Sequence, residues 1–447
     1  MTPAARVQAV IEILDGLAAQ PAGRMAPAEQ VVNDYLRQRR YIGSKDRRAV
    51  TAMAYDVLRH RARIAWWLAR AGAGDTAPRR QMLAWLERCA GETPESLQAV
   101  FDGARYAPPP LEGGEAALAE RLAGADLPSP PPEVACEVPA WLWPRFVAAF
   151  GAETEREAAA LLEEAPVDLR VNTLLGTREA ARAALREEGI ETQPTPLSPV
   201  GLRVEGRRPL RSSAAFAAGL VELQDEGSQL AALLVEARPA MAVADVCAGA
   251  GGKTLALAAT MKGEGRLLAM DAAQARLDRS ALRLRRAGVN ERHHGFVERR
   301  AAQGVTGGDL AADTALHGVF DRVLVDAPCS GSGAWRRHPD ARWRLTPEAL
   351  ERYEQAQRAV LRQAAPLVKP GGRLIYVTCS LLREENEAQV ESFLADLTRF
   401  EAVPAGDVWR RVLKTDYTGG NPYLTLTPAR HGTDGFFVAV LQRKEAA

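Results

Sequence analysis

Apolar residues recur at three- and four-residue spacing through VQAVIEILDGL, QVVNDYLRQR and RRAVTAMAYDVLRHRARIAWWLA. That period predicts an all-helical stretch from Thr2 to about Arg105, with Pro and Gly between helices. The pattern then breaks. Tyr106–Pro139 holds APPPLEGGE and LPSPPPEVACEVP, rich in proline and glycine, and reads as a linker with at most one helix. From Pro139 to about Leu223 the periods are mixed. PAWLWPRFVAAFG, EREAAALLEEA and TREAARAALREEG have helical spacing, the first stopped by Gly151 and the last by Gly189, while VDLRVNTL and GLRVEG are strand-like. This is the pattern of a small α+β module.

Beyond Gln224 short apolar runs alternate with amphipathic segments. Met241–Val246, GRLLAM, FDRVLVDAP, GGRLIYVTCS and GFFVAVLQR read as strands. EGSQLAALLVEA, DAAQARLDRSALRLRRAG, LTPEALERYEQAQRAVLRQAAPLV and EENEAQVESFLAD read as helices. Successive β–α units predict a mainly parallel sheet covered on both faces, with ligands beyond the C-terminal ends of its strands. The expected fold is therefore multidomain. An all-α N-terminal domain (1–135, including the linker) is followed by a small α+β module (136–223) and an α/β Rossmann-like domain (224–447).

Composition narrows the classes. At 447 residues the chain is too long for one core. Its hydrophobic fraction of 47% and charged fraction of 25% are those of a soluble globular protein. The formal charge is only +1, so any nucleic-acid surface must be a local patch. Arg37, Arg39, Arg40, Lys45, Arg47, Arg48, Arg59, Arg61 and Arg63 form such a cluster, either as an RNA-facing surface or as an ordinary solvated helix face. Trp66 and Trp67 are expected in the helical core. The five cysteines, Cys89, Cys136, Cys247, Cys329 and Cys379, are widely spaced without a C-x-x-C pair. They point to a reducing compartment, not to a disulfide framework or a zinc site, and no metal is expected. There is no signal-peptide pattern, and no stretch approaches ~18 uninterrupted apolar residues. A cytoplasmic, monomeric protein without membrane contact is the expectation.

The densest candidate chemistry is Ala244–Thr254, ADVCAGAGGKT. A strand breaks into a turn at Gly249, Gly251 and Gly252, and a helix starts near Lys253. Glycines let a ligand approach the backbone, and a helix start offers free N–H groups. Gly252, Lys253 and Thr254 fit the end of a phosphate loop, but its first glycine would fall at Cys247. Asp271 instead closes the next strand about 20 residues past the glycines, where an acid holds ribose hydroxyls. The order favours a nucleoside ligand over a triphosphate.

Two further turns are placed on the same rim. DAPCSGSG ends one strand with Asp326 and Cys329, and TCS ends another with Cys379. A cysteine alone is more often a small buried hydrophobe. Two on one rim, one in a tight Pro-Cys-Ser-Gly turn, suggest thiolate chemistry on an electron-poor ring, with Lys253 as the nearest cation to lower a thiol pKa. Arg336, Arg337, His338 and Arg342 add positive charge after the second turn, His338 as a candidate base. Arg170 and Asn172 of LRVN share a strand face, where they contact substrate or satisfy a local turn.

At LRVN, QDEGSQL, DVCAGAGGKT, DAPCSGSG with RRHPDARWR, VTCSLLREENE and RHGTDGFF, the sequence resembles the RsmB/NOP family of RNA cytosine-C5 methyltransferases. The likeness runs from Pro139 onward. The helical N-terminus resembles the NusB-like RNA-binding domain of bacterial 16S rRNA members. The resemblance implies S-adenosylmethionine as cofactor and RNA, 16S rRNA or a small-subunit precursor, as partner. It implies that Cys379 adds to C6 of the target cytosine, that Cys329 helps remove the C5 proton or expel Cys379, and that Asp326 holds the cytosine edge. Lys253 would contact Asp326 or substrate. Cys247, Ala248, Gly249, Ala250, Gly251, Gly252 and Lys253 would cradle the cofactor, with Asp271, Arg276 and Asp326 completing its site. The family's acid for the adenine amine departs from pattern: Arg299, Arg300 and Ala301 stand near its place, only Glu298 is close, and the loop before Phe320 is longer than usual. The competing classes are a phosphate-loop NTPase, a non-catalytic RNA-binding assembly factor, and a DNA or small-molecule methyltransferase.

Overall fold

The computed structural model describes all residues other than 21–25, 125–126, 207, 290–295, 302–312, 418–421 and 446–447. The chain divides into two compact units: residues 1–163 with Trp335–Thr346, and residues 164–334 with 347–447.

In the first unit the helical period is realised as Pro3–Ala18, Ala28–Gln38, Ser44–Arg59, Arg61–Arg70, Pro78–Arg88 and Pro94–Val100. Local chemistry sets several starts. Thr2 accepts the Ala5 N–H at 3.1 Å, and Thr93 and Ser96 form a reciprocal capping box. The long third apolar segment is two helices, broken at His60. Trp67 is buried in the core and Trp66 packs against it. The expected linker is different in kind. It holds two helices where at most one was expected, Gly113–Ala123 and Pro132–Ala135, and the first buries Leu118, Ala119 and Leu122 in the same core, so it is part of the bundle.

The unit also extends past residue 135 to Glu163. The fully buried Glu137 carboxylate accepts the Ala62 and Arg63 N–H groups at 2.6 and 3.0 Å. Trp335–Thr346 returns to pack here. Trp335 stacks on Phe146 at 5.7 Å, and the buried Arg342 guanidinium donates to the Glu137 and Leu161 carbonyls at 3.0 and 3.1 Å. Burial pulls Arg342 down to about 10.

The second unit contains two sheets. Strands β1 (Asp168–Val171), β2 (Thr192–Pro194), β3 (Gly201–Val204) and β4 (Val221–Leu223) form a four-stranded antiparallel sheet in the order β2-β3-β1-β4, with its own core beneath the helix Arg178–Glu187. The second sheet holds β5 (Ala242–Asp245), β6 (Arg266–Asp271), β7 (Val297–Ala301), β8 (Phe320–Asp326), β9 (Val368–Thr378), β10 (Phe400–Val403), β11 (Leu424–Leu426) and β12 (Phe436–Arg443). Its order is β10-β12-β9-β8-β5-β6-β7, with β11 paired to β12. Neighbours from β7 to β9 are parallel, whereas the last strand, β12, is antiparallel to β9 and β10. Both faces are buried. Val243, Leu267, Leu324 and Ile375 enter one core and Ala244, Leu268, Val323 and Leu374 the other, which is why these strands are continuous apolar runs without alternation. Chain order reverses between β5 and β8, and that switch point is where such a sheet binds ligands. No helix among the described residues is long and apolar enough to cross a membrane.

Candidate active site

The glycine turn leaves β5 and enters the helix Gly252–Thr260 through left-handed backbone, with φ of +56° at Gly249 and +84° at Gly251. A Cβ on Gly251 would lie 2.9 Å from Ser280 Cβ, whereas one on Gly249 would meet nothing within 4 Å. Glycine is thus required for the turn at one position and keeps the space above it open at the other. Asp271 ends β6 beside it and pins it: one carboxylate oxygen accepts the Gly249 N–H at 2.9 Å and the other the Ala273 N–H at 2.8 Å. Arg276 stands 3.9 Å from Asp271 at the exposed edge.

Beneath the turn lies Asp245, fully buried and bonded by the Thr254 hydroxyl at 2.7 Å. Its second oxygen has no protein partner. Burial pushes its carboxyl up to about 7. Cys247 is half-buried, and burial, with Asp326, Asp245 and Asp271 around it, lifts its thiol far above the usual range.

The two other turns meet. Adjacent strands β8 and β9 deliver Cys329 and Cys379 with their sulfurs 3.4 Å apart. The Gly333 N–H donates to the Cys379 carbonyl at 2.9 Å, which ties the turns together. Cys329 is lifted well above the usual thiol range, first by its hydrogen bond with Cys379 and then by burial. At the end of β8, Asp326 receives the Lys253 ammonium at 2.7 Å. Burial opposes the charge on Lys253, but Asp326 outweighs it and the net shift is upward. Lys253 also sits 5.2 Å over the Phe436 ring. Phe436 can come this close because a Cβ on Gly227 would fall 2.7 Å from it.

Other expected positions have structural partners. Arg170 is buried and donates to the Gly252 carbonyl at 2.7 Å and to Gln224; Asn172 donates to the Gly219 and Ala287 carbonyls, both at 3.0 Å. Both residues join the small sheet to the Rossmann-like sheet. Arg336, Arg337, His338 and Arg342 fall in the helical unit, where Arg342 is buried. Glu298 sits opposite Leu268 in the β6–β7 register, three residues short of the rim, and pairs with Arg266 at 3.1 Å. The expected long loop, 302–312, lies outside the described residues. Sequence reasoning missed Phe436, Ser330, Ser380, Glu385 and Gln357. Its available signals were the serine after each rim cysteine and the acids of REENE.

A family model of the 16S rRNA methyltransferases RsmB/F matches residues 232–442, and a ferredoxin-like domain model of the RsmF/B-like methyltransferases matches residues 138–211. A probable ribosomal RNA small subunit methyltransferase B of Synechocystis sp. is 35% identical over 309 residues, which are 68% of this chain and 66% of that protein. The crystal structure of PH0851 is similar over 99% of both chains, at a TM-score of 0.77 and 27% identity. A methyltransferase homolog protein from Pyrococcus horikoshii matches 70% of this chain and 97% of its own, with a TM-score of 0.57 and 25% identity. With a Rossmann-like sheet, a glycine cradle closed by Asp271 and these relatives, the chain belongs to the RsmB/F family of 16S rRNA methyltransferases, whose cofactor is S-adenosylmethionine.

Proposed function

We propose that this protein methylates C5 of a cytosine in 16S rRNA through a covalent adduct between Cys379 and C6. The observation that carries the reading is the pair of thiols 3.4 Å apart beside the Lys253–Asp326 ion pair. The cradle suits the cofactor. Gly249 leaves room above the turn, and the orphan oxygen of Asp245 is an acceptor for a cationic or N–H group. Residues 247–253 would hold the methionine end, and Asp271, with Arg276 at its edge, the ribose. S-adenosylmethionine supplies a methyl group on a positively charged sulfonium, which cytosine C5 can attack once it is electron-rich.

The protein's task is to make C5 electron-rich and then to restore the ring. The Cys379 thiolate bonds to C6, and the π electrons of C5=C6 move toward C5 and N3. Asp326, held by Lys253, faces the N3 edge; the pair lends N3 the proton that balances the charge arriving there and takes it back when C5 accepts the methyl group. Cys329 keeps its proton while Cys379 is free, because their hydrogen bond favours the thiol. Once Cys379 is tied to carbon, its hydrogen bond and charge no longer hold the proton on Cys329, and that proton passes to solvent against the remaining pull of burial. Cys329 then takes the C5 proton. The electron pair left behind re-forms C5=C6 and expels Cys379 as thiolate.

The helical unit is the proposed RNA-binding part, NusB-like in character. Arg40, Lys45 and Arg48 are exposed around Tyr41, itself 74% exposed, a mixture of charge and stacking surface suited to RNA. Other cations of the cluster have structural partners: Arg39 pairs with Glu12, Arg63 with Glu137, and Arg59 donates to the Leu162 carbonyl at 2.9 Å.

The test is covalent trapping with unmodified 16S rRNA and S-adenosylmethionine under denaturing conditions. Cys329→Ala is expected to accumulate protein linked to RNA, and Cys379→Ala to give neither adduct nor methylation. An adduct only with Cys379→Ala reverses the two roles. No adduct with either variant, together with unmethylated RNA from wild type, leaves an RNA-binding assembly factor as the better reading.

A further inference from the structure

Beneath the two cysteine turns lies a carboxylate that the steps above do not use. Glu385 is fully buried in the short turn Arg383–Glu385 that follows β9. One of its oxygens accepts the Ser330 N–H at 2.8 Å and the Gln357 amide at 3.0 Å. The other accepts the hydroxyls of both Ser330 and Ser380. Ser330 follows Cys329 and Ser380 follows Cys379, so one carboxylate grips the residue after each thiol.

The surrounding bonds extend this grip. Ser332 Oγ lies 3.1 Å from Ser380 Oγ and accepts the Leu381 N–H at 2.8 Å. Gln357, from the helix Pro347–Ala364, also donates to the Pro328 carbonyl at 2.9 Å, on the other side of Cys329. The Tyr376 hydroxyl donates to the Glu385 carbonyl at 2.6 Å, which fixes the short turn against β9. Every group meeting the carboxylate is a donor, and an acceptor with two oxygens is the complement they require. Burial holds the Glu385 carboxyl above its usual range, against the pull of these bonds. An acid kept in such a place, bonded to the neighbour of each reacting sulfur, has a role in their geometry.

We propose that Glu385 is the positioning residue that clamps the Cys329 and Cys379 turns together and so sets where both sulfurs meet the target base. The proposal rests on the two-cysteine reading of the site. Adjacent strands alone bring the turns near one another, but the loops beyond the strand ends carry the sulfurs. A misplacement of about 1 Å at reacting atoms costs on the order of 100-fold in rate.

The test uses the full chain with unmodified 16S rRNA transcript and S-adenosylmethionine. Glu385→Gln keeps the shape and one acceptor oxygen but loses the charge and the second acceptor. The expected result is a kcat lower by roughly 10- to 100-fold, with KM for RNA, cofactor affinity and Tm close to wild type. In a Cys329→Ala background, Glu385→Gln should slow adduct accumulation by a similar factor. Ser330→Ala and Ser380→Ala should each lose part of the rate, and neither should add its full effect to that of Glu385→Gln. Unchanged kcat overturns the proposal, as does adduct formation at the parental rate or a loss of rate matched by a loss of Tm. If Cys329→Ala alone gives no adduct, the two-cysteine reading has failed, and the kcat of Glu385→Gln still decides whether Glu385 positions the site.

Discussion

Asp245, buried beneath the glycine turn, shows how a single residue couples stability to pH. Its carboxyl ionises near 3.8 in the unfolded chain and near about 7 in the fold, where burial disfavours the charge. Between these values the folded protein holds a proton that the unfolded chain has released. The contribution to stability is therefore full below about 4 and is lost as pH rises through about 7. Asp245→Asn keeps a neutral group of the same shape at every pH. The difference in Tm between Asp245→Asn and wild type, measured without cofactor, should become more favourable to the variant from pH 5 to pH 8. Between pH 5 and pH 8 the change is at most about 3 kcal/mol, at about 1.4 kcal/mol per pH unit from pH 5 to about 7. A pH-independent difference would mean that Asp245 is already ionised throughout.

At the scale of elements, the site depends on backbones that touch. The turn Ser332–Ala334 after β8 lies against the segment entering β12, and a Cβ on Gly333 would fall 2.3 Å from the Gly435 carbonyl oxygen. The same contact is closed by a Gly435 N–H to Gly333 carbonyl bond at 2.9 Å. Gly333→Ala must push β12 away from the Cys329 turn, and with it Phe436 away from Lys253. Thermal unfolding should show a loss of about 1–3 kcal/mol, the usual cost of overpacking. Methyl transfer should fall further than stability alone accounts for. Full activity at normal Tm would show that the contact yields without moving the turn. Gly333 was visible in the sequence within the turn DAPCSGSG and Gly435 as the start of the strand GFFVAVLQR, but their facing one another was not. Residues some hundred positions apart meet only because β12 inserts antiparallel beside β9.

For the whole molecule, the helical unit is completed by a segment from far along the chain. Trp335 and Arg342 are among its largest fully buried side chains. Residues 1–163 made alone would expose the face of Phe146 that Trp335 covers and leave the Glu137 and Leu161 carbonyls without the Arg342 donor. Loss of one large buried aromatic costs about 3–5 kcal/mol, a large share of the ~5–15 kcal/mol that stabilises a domain. The fragment 1–163 should therefore show no cooperative thermal transition, or one at much lower temperature than in the full chain. A fragment that melts as sharply and as high as the full chain would show that Trp335–Thr346 is dispensable.

Patterns within a few residues could be read directly from the chain. The helices of the first hundred residues follow from a 3.6-residue period, and the parallel sheet follows from apolar runs separated by amphipathic helices. The glycine turn and Asp271 follow from a spacing that one β–α–β unit imposes. These features depend on local backbone preference and short-range periodicity, which the sequence carries openly. Groups brought together by long-range packing did not show. The expected linker holds two helices, Gly113–Ala123 and Pro132–Ala135, and the first joins the bundle through Leu118, Ala119 and Leu122, a pattern too short to read between prolines and glycines. The Arg-rich run after Cys329 read only as added positive charge; its packing in the helical unit, where a buried Arg342 meets backbone carbonyls, was not legible. The sulfur–sulfur approach, the Lys253–Asp326 pair and the Glu385 clamp each join residues from different strand ends. The sequence supplied their chemical types; strand order and register decided which of them touch, because a contact between distant residues is settled by the fold that buries them.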